Sequence, residues 1–404
     1  MKNIFFIGFT LIFLSSFSQK RIYGKVTDEN NSPLEGASVY INNTTIGNST
    51  DTNGEFVLNV KEGAHELIIS YISYKTIRYS LNTISFVKPL LFKLKPEDNL
   101  LNEVVLKKPK YDEEWKSNLV IFKRAFFGKT KLAEECDIIN PKVLYFEFNR
   151  KTGELTAEVK EPLIIKHKGL GYLITFDLVE FSLKNNRLFF SGYTRYSNLK
   201  KSIRKKWKRN RLEAFNGSQM HFLRSLTSKQ LKKNGFIVNQ FRRELNPERP
   251  SEKEIKFAKE LLQLQGNTIS TLKKTKPPLT QLDSALVIME NSKKPKYIDY
   301  LYKRNISEEH MYSSNKNVSF LDFENYLTVI YTKEPEEENY LIGMFGKRKK
   351  AIGMQTSNIV LINGKSMIDK SGVLINPKAM YVEGYWGFES FANMLPTDYQ
   401  TNKN

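Results

Sequence analysis

The chain has 404 residues, 63 of them Lys or Arg against 43 Asp or Glu, a formal net charge of +20, and one cysteine. An apolar content of 40% with 12% aromatic residues excludes a disordered chain. The single Cys136 excludes an internal disulfide, so stability must come from packing, in about two or three domains of ordinary size.

Residues 1–18 carry Lys2, an apolar run from Ile4 to Leu14, and the small residues Ser15, Ser16 and Ser18. That order predicts a secretory signal peptide cleaved after Ser18. The run is shorter than the ~20 apolar residues a membrane-spanning helix needs, and no later stretch reaches that length. No cysteine near the junction offers a thiol for lipid attachment. The expectation is an exported chain, periplasmic or associated with an outer membrane. Behind such a leader, the positive charge points away from nucleic acid. It points instead to anionic lipid, lipopolysaccharide phosphates or acidic glycan, or to an outer-membrane protein as partner.

Residues 20–95 read as short strands. Ile22–Val26 is followed by the turn-rich Asp28–Pro33, and then by a half-buried strand at Ala37–Ile41. Asn53-Gly54 lies between strand-like runs and predicts a hairpin turn. Asp51 and Asn53 are expected to serve that turn, because the segment is too short for a calcium loop of EF-hand type. Further strands are expected at His65–Tyr71 and near Lys88–Leu94. This spacing predicts an all-β, Greek-key-like sandwich. Gly24-x-Val26-x-Asp28, then Pro33-Leu34-x-Gly36-Ala37-x-Val39, Gly47, and Thr50-Asp51-x-x-Gly54-x-Phe56-x-Leu58 together resemble the carboxypeptidase regulatory-like domain. In Ser70–Lys75 the resemblance holds with Ser73 where glycine is usual. Leu101–Val105 is similar to the segment that follows this domain in TonB-dependent outer-membrane receptors. The resemblance implies an accessory, non-catalytic sandwich. A receptor would continue into a plug and a large barrel, and the remaining residues show no such series of lipid-facing strands.

Residues 96–110 form a polar linker, and 111–400 are expected to be an α+β domain with an antiparallel sheet and a sub-boundary near 246–280. Trp115, Leu119, Phe122, Phe126 and Phe127 recur at helical spacing and predict a core-facing helix. Strands alternate with turns over 142–195, including a turn at Lys184–Arg187, as in an antiparallel meander. The most basic stretch follows: Lys200, Lys201, Arg204, Lys205, Lys206, Lys208, Arg209 and Arg211, eight of twelve residues with no acid among them. A helix here would lay a small Ile203–Trp207 seam under a wide cationic face, so these eight are the candidate anion-binding residues. Trp207, Tyr385 and Trp386 are candidate aromatic contacts for sugar rings. Ser218 is placed to cap a helix, Ser251-x-x-Glu254 is a capping box, and Thr280-x-x-Asp283 is placed to cap another helix. Strands are expected at Gly235–Val238, Tyr326–Tyr331, Asn358–Ile362 and Ala379–Glu383. The Gly217–Arg224 and Gly384–Tyr399 segments resemble those of uncharacterised exported proteins with the same N-terminal domain.

No catalytic, metal or cofactor site is expected. The four histidines, His65, His167, His221 and His310, lack zinc-ligand spacing, and no phosphate-binding loop is present. Acidic neighbours disfavour a Cys136 thiolate, and Ser218–His221 reads as a cap, not a dyad. The leading expectation is an exported, non-catalytic cell-envelope protein: a sandwich spacer and a basic α+β domain contacting anionic envelope components. The alternatives are a carbohydrate-binding module and an unrecognised hydrolase, since paired carboxylates are defined by distance in space, not in sequence.

Overall fold

Alternating apolar residues at the N-terminus give strands with one buried face each. The computed structural model describes residues 19–97, 111–264, 280–315, 318–341, 351–369 and 372–401. The expected signal peptide, and the expected linker from residue 98 onwards, lie outside these residues. The chain divides into two compact units, Met1–Phe215 with Glu389–Asn404, and Asn216–Phe388.

The first unit begins with seven strands: β1 (Gln19–Thr27), β2 (Ser38–Ile41), β3 (Gly47–Ser49), β4 (Glu55–Lys61), β5 (Ala64–Ser70), β6 (Ile77–Asn82) and β7 (Leu90–Lys93). They form two sheets, β4-β1-β7 and β3-β2-β5-β6. Ile22, Val26, Val39, Phe56, Leu58, Leu67 and Ile69 fill the space between them. The all-β sandwich is therefore as the alternation predicts. Gly24 lies where parallel β1 and β7 pair, and a Cβ there would meet the Leu90 carbonyl oxygen at 2.1 Å. One turn departs from expectation. Asn53-Gly54 joins β3 to β4, which belong to different sheets, so it makes a corner and not a hairpin. Gly54 supplies the positive φ of 73°, the Asp51 carboxylate accepts from the Asn53 and Glu55 amides, and the Gly54 amide donates to the Asp51 carbonyl, so the turn closes locally.

Helix α1 (Glu113–Phe127) is capped by Asp112, whose side chain accepts from the Trp115 amide. It lays buried Phe122, Phe126 and Phe127 towards the next sheet. That sheet comprises β8 (Cys136–Ile138), β9 (Leu144–Asn149), β10 (Glu154–Val159), β11 (Leu163–His167), β12 (Tyr172–Lys184) and β13 (Arg187–Asn198). The thirteen-residue β12 pairs with β11 and β10 along one edge and with β13 along the other, all antiparallel. The β12–β13 turn places Asn185 and Asn186 at positive φ, the mirror-image geometry that tight hairpins prefer. Helix α2 (Lys205–Phe215) follows. The chain returns to this unit at Glu389. A turn at Phe391–Asn393 then stacks Phe391 on Phe126 at 4.4 Å between ring centres and sets it edge-on to Phe176. The sandwich is tied in through its β2–β3 loop. Asn43 donates its amide to the Thr194 carbonyl, and its own carbonyl accepts from Thr397. Asp398 accepts from the Thr45 amide and hydroxyl.

The second unit contains α3 (Gln219–Thr227), α4 (Leu231–Asn234), β14 (Phe236–Leu245), α5 (Glu252–Leu264), α6 (Gln281–Asn291), β15 (Tyr297–Lys303), β16 (Tyr312–Asn315), β17 (Val318–Leu321), β18 (Tyr326–Pro335), β19 (Met354–Leu361), β20 (Ser366–Ile368), β21 (Met380–Gly384) and α7 (Tyr385–Glu389). Its main antiparallel sheet runs β15-β14-β18-β19-β21, and β16-β17-β20 form a second, smaller sheet. Phe222, Leu226, Phe236, Val238, Leu327, Val329 and Ile359 form its core. All three sequence caps appear: Ser218 accepts from the His221 amide, Ser251 and Glu254 exchange hydrogen bonds, and Thr280 with Asp283 makes a full capping box. An all-β sandwich followed by α+β structure with antiparallel sheets is the architecture the sequence predicts.

Candidate functional site

The basic stretch is sorted by α2 into a bound face and an outward face. Its inner side chains serve three consecutive carbonyls of the β11–β12 turn. The Trp207 indole donates to Lys168 O at 2.9 Å, Asn210 Nδ2 to Gly169 O at 2.9 Å, and Arg211 Nε to Leu170 O at 2.8 Å. A turn with buried carbonyls must find donors, and here the helix supplies them. The Trp207 ring lies on Gly171, where φ is 73° in the left-handed region and any Cβ would meet the ring at 2.1 Å. The Arg211 guanidinium also reaches Asn198 Oδ1 at 2.9 Å and lies 3.8 Å from the centre of the Tyr172 ring.

Arg211, 3% exposed, is a structural tie between helix and turn and leaves the set of surface cations. Trp207, Tyr385 and Trp386 are also buried and offer no face to a sugar ring. The Trp386 indole donates to Gly217 O at 2.8 Å, and Tyr385 packs against Tyr340 and Phe388. A tryptophan or tyrosine with its polar tip satisfied is well suited to a core, which is why sequence alone misplaced these three.

The remaining cations face outward. Lys200, Lys201, Arg204, Lys205 and Arg209 are exposed, and Lys208 is half-buried. Lys206 is held by Glu135 at 2.6 Å, and Arg209 stands 3.7 Å from Glu213 one turn on. No acid lies in the first turn of α2, so the positive end of the helix dipole adds to the cationic field. Arg204 rests against the Trp207 ring at 5.2 Å, which fixes its position at the helix start.

The groups considered for catalysis have structural roles. Burial, and then the Glu135 charge, push the Cys136 thiol up to about 12, far from a thiolate. His167 is fully buried. Its Nδ1 accepts from the Leu170 amide, so Nε2 carries the proton donated to Ala392 O at 2.8 Å. Burial lowers its pKa to about 4. His221 is likewise lowered to about 4, by burial and then by Lys333 and Arg224, and its Nδ1 accepts from the Gly217 amide. Among the described residues no group of three or more His, Cys, Asp or Glu side chains could hold a metal ion. Among them no helix is long and apolar enough to cross a membrane.

The first unit opens with a two-sheet β-sandwich, and residues 22–106 match the model of the CarboxypepD_reg-like domain. That region is a carboxypeptidase regulatory-like domain, as its motifs predict. No curated protein matches the chain. Among solved structures, a type II cohesin–X-dockerin complex from Acetivibrio cellulolyticus is similar at 22% identity and a TM-score of 0.18, over 20% of this chain and 59% of that chain. A 9R-lipoxygenase from Cyanothece PCC8801 is similar at 9% identity and a TM-score of 0.16, over 52% of this chain and 48% of that chain. The chain thus spans less than two thirds of either.

Proposed function

We propose that this is an exported, non-catalytic cell-envelope binding protein that engages anionic envelope components through the outward face of α2 and the segment before it. The observation that carries the reading is the division of labour on α2. Trp207, Asn210 and Arg211 fix the helix to the β11–β12 turn, so its outward cations are presented on a rigid support. Clustered cations, of which Lys206 and Arg209 are partly offset by Glu135 and Glu213, draw phosphate and carboxylate groups, and a net charge of +20 strengthens long-range attraction. The carboxypeptidase regulatory-like sandwich is consistent with an accessory role in this setting.

The test is binding of the mature chain to vesicles of phosphatidylglycerol, to lipopolysaccharide and to polygalacturonate. These three probes separate lipid, phosphoglycan and uronate sources of the same anionic chemistry. The Lys200→Gln, Lys201→Gln, Lys205→Gln, Lys208→Gln variant should weaken binding by at least about 100-fold, since each charge contributes about 1 kcal/mol at an anionic surface. Binding by the native chain should fall steeply with added salt. Equal binding by the variant to every probe would remove the role assigned to this face.

A further inference from the structure

An open concavity of about 470 Å³ in the second unit lies beside the end of β15, within the roughly 300–1,000 Å³ typical of ligand pockets. Its aromatic wall is Tyr302, and buried Phe323 also lines it. Tyr302 sits at a β-bulge. Across β14 and β15, Gln240 pairs with Lys303 and Phe241 with Leu301, so Tyr302 is the extra residue between them. Bulges re-aim a side chain out of the regular alternation and recur beside binding sites. The ring is held in that pose, because Asn325 donates Nδ2 to the Tyr302 hydroxyl at 3.1 Å. Tyr302 nevertheless remains 46% exposed.

The rim has balanced charge. Arg242, Lys303, Asp322 and Glu324 line the same hollow, with Arg242 also paired to Glu244 at 2.6 Å and Asp322 3.7 Å from Lys365. Such a site draws no ion strongly, since either sign meets a like charge, but it presents hydrogen-bond donors and acceptors together. A fixed aromatic face with carboxylates and cations around it is complementary to a ring that carries several hydroxyls. Its CH face packs on the aromatic ring, and its hydroxyls donate to Asp322 and Glu324 and accept from Arg242 and Lys303. We propose that this concavity binds a neutral pyranose unit of a glycan, with Tyr302 as the stacking platform. The site is separate from the outward face of α2 and uses none of its cations.

The test is saturation-transfer NMR and calorimetry on the mature chain with neutral gluco-, manno- and galacto-oligosaccharides and with oligogalacturonate, at about 0.5 M salt to screen ionic attraction. At least one neutral oligosaccharide should bind in the millimolar range or tighter and more tightly than the uronate. Tyr302→Ala should weaken that binding at least tenfold, and Glu324→Gln should weaken it while leaving the unfolding temperature unchanged. The α2 glutamine variant should bind as the native chain does. The proposal is overturned if no neutral sugar of the panel binds, if the uronate is preferred, or if Tyr302→Ala binds normally.

Discussion

At the scale of single residues, the basic run shows what composition conveys and what it omits. Eight cations in twelve residues are plain in the sequence. That Arg211 turns inward is not, because its partners, the Leu170 carbonyl and the Tyr172 ring, lie some forty positions earlier. Arg211→Gln should lower stability by about 2–4 kcal/mol in urea unfolding, since it removes a charged donor and leaves a buried carbonyl short of a partner. Lys205→Gln, on the outward side of the same helix, should change stability by less than about 0.5 kcal/mol. The contrast separates the two faces. His167 makes a pH prediction. Its pKa falls from 6.5 when unfolded to about 4 when folded, so the unfolded chain binds more protons between those values. The stability it permits is complete above pH 6.5 and declines as pH falls towards 4, by about 3 kcal/mol in all. Denaturant unfolding at pH 7 and pH 4.5 should show most of that loss, and His167→Gln should remove its share while the similar contribution of His221 remains. A native chain equally stable at both pH values would contradict the assigned burial.

At the scale of elements, local signals are legible in the sequence and non-local ones are not. The Ser218, Ser251 and Thr280 caps act within four residues of themselves, so spacing alone located them. The aromatic stripe of α1 also told its own orientation, with Phe122, Phe126 and Phe127 all buried. Asn53-Gly54 correctly announced a turn but could not say whether the flanking strands pair, because pairing is decided by sheets that assemble from distant segments. The bulge at Tyr302 has no local signature in the sequence, and Trp207, Tyr385 and Trp386, sugar-contact candidates by residue type, are core residues. Gly171 is the element-scale test. Its left-handed φ and its contact with the Trp207 ring leave no room for a methyl group. Gly171→Ala should destabilise the protein by about 2–4 kcal/mol and quench the tight seating of Trp207, seen as a red-shifted tryptophan emission. Native-like stability in that variant would show that α2 is held by other means.

At the scale of the whole molecule, the predicted order of all-β then α+β holds. What the sequence did not reveal is that the first compact unit is discontinuous. Phe391 closes an aromatic cluster with Phe126, Phe176 and Phe190, and Asp398 fastens the β2–β3 loop of the sandwich. Neither partner can be inferred from the spacing of residues 391 and 398, since the segments they join are separated by well over a hundred positions. Phe391→Ala should cost about 3–5 kcal/mol by opening a cavity among those rings, measured as a lowered unfolding midpoint of the first unit.

This threading sets an order of assembly. A ribosome delivers the chain N-terminus first, so the second unit can condense while the earlier segment still waits for its closing piece. Phe126, Phe176 and Phe190 gain the cover of Phe391, and the β2–β3 loop gains its Thr397 and Asp398 hydrogen bonds, only once these last residues of the chain arrive.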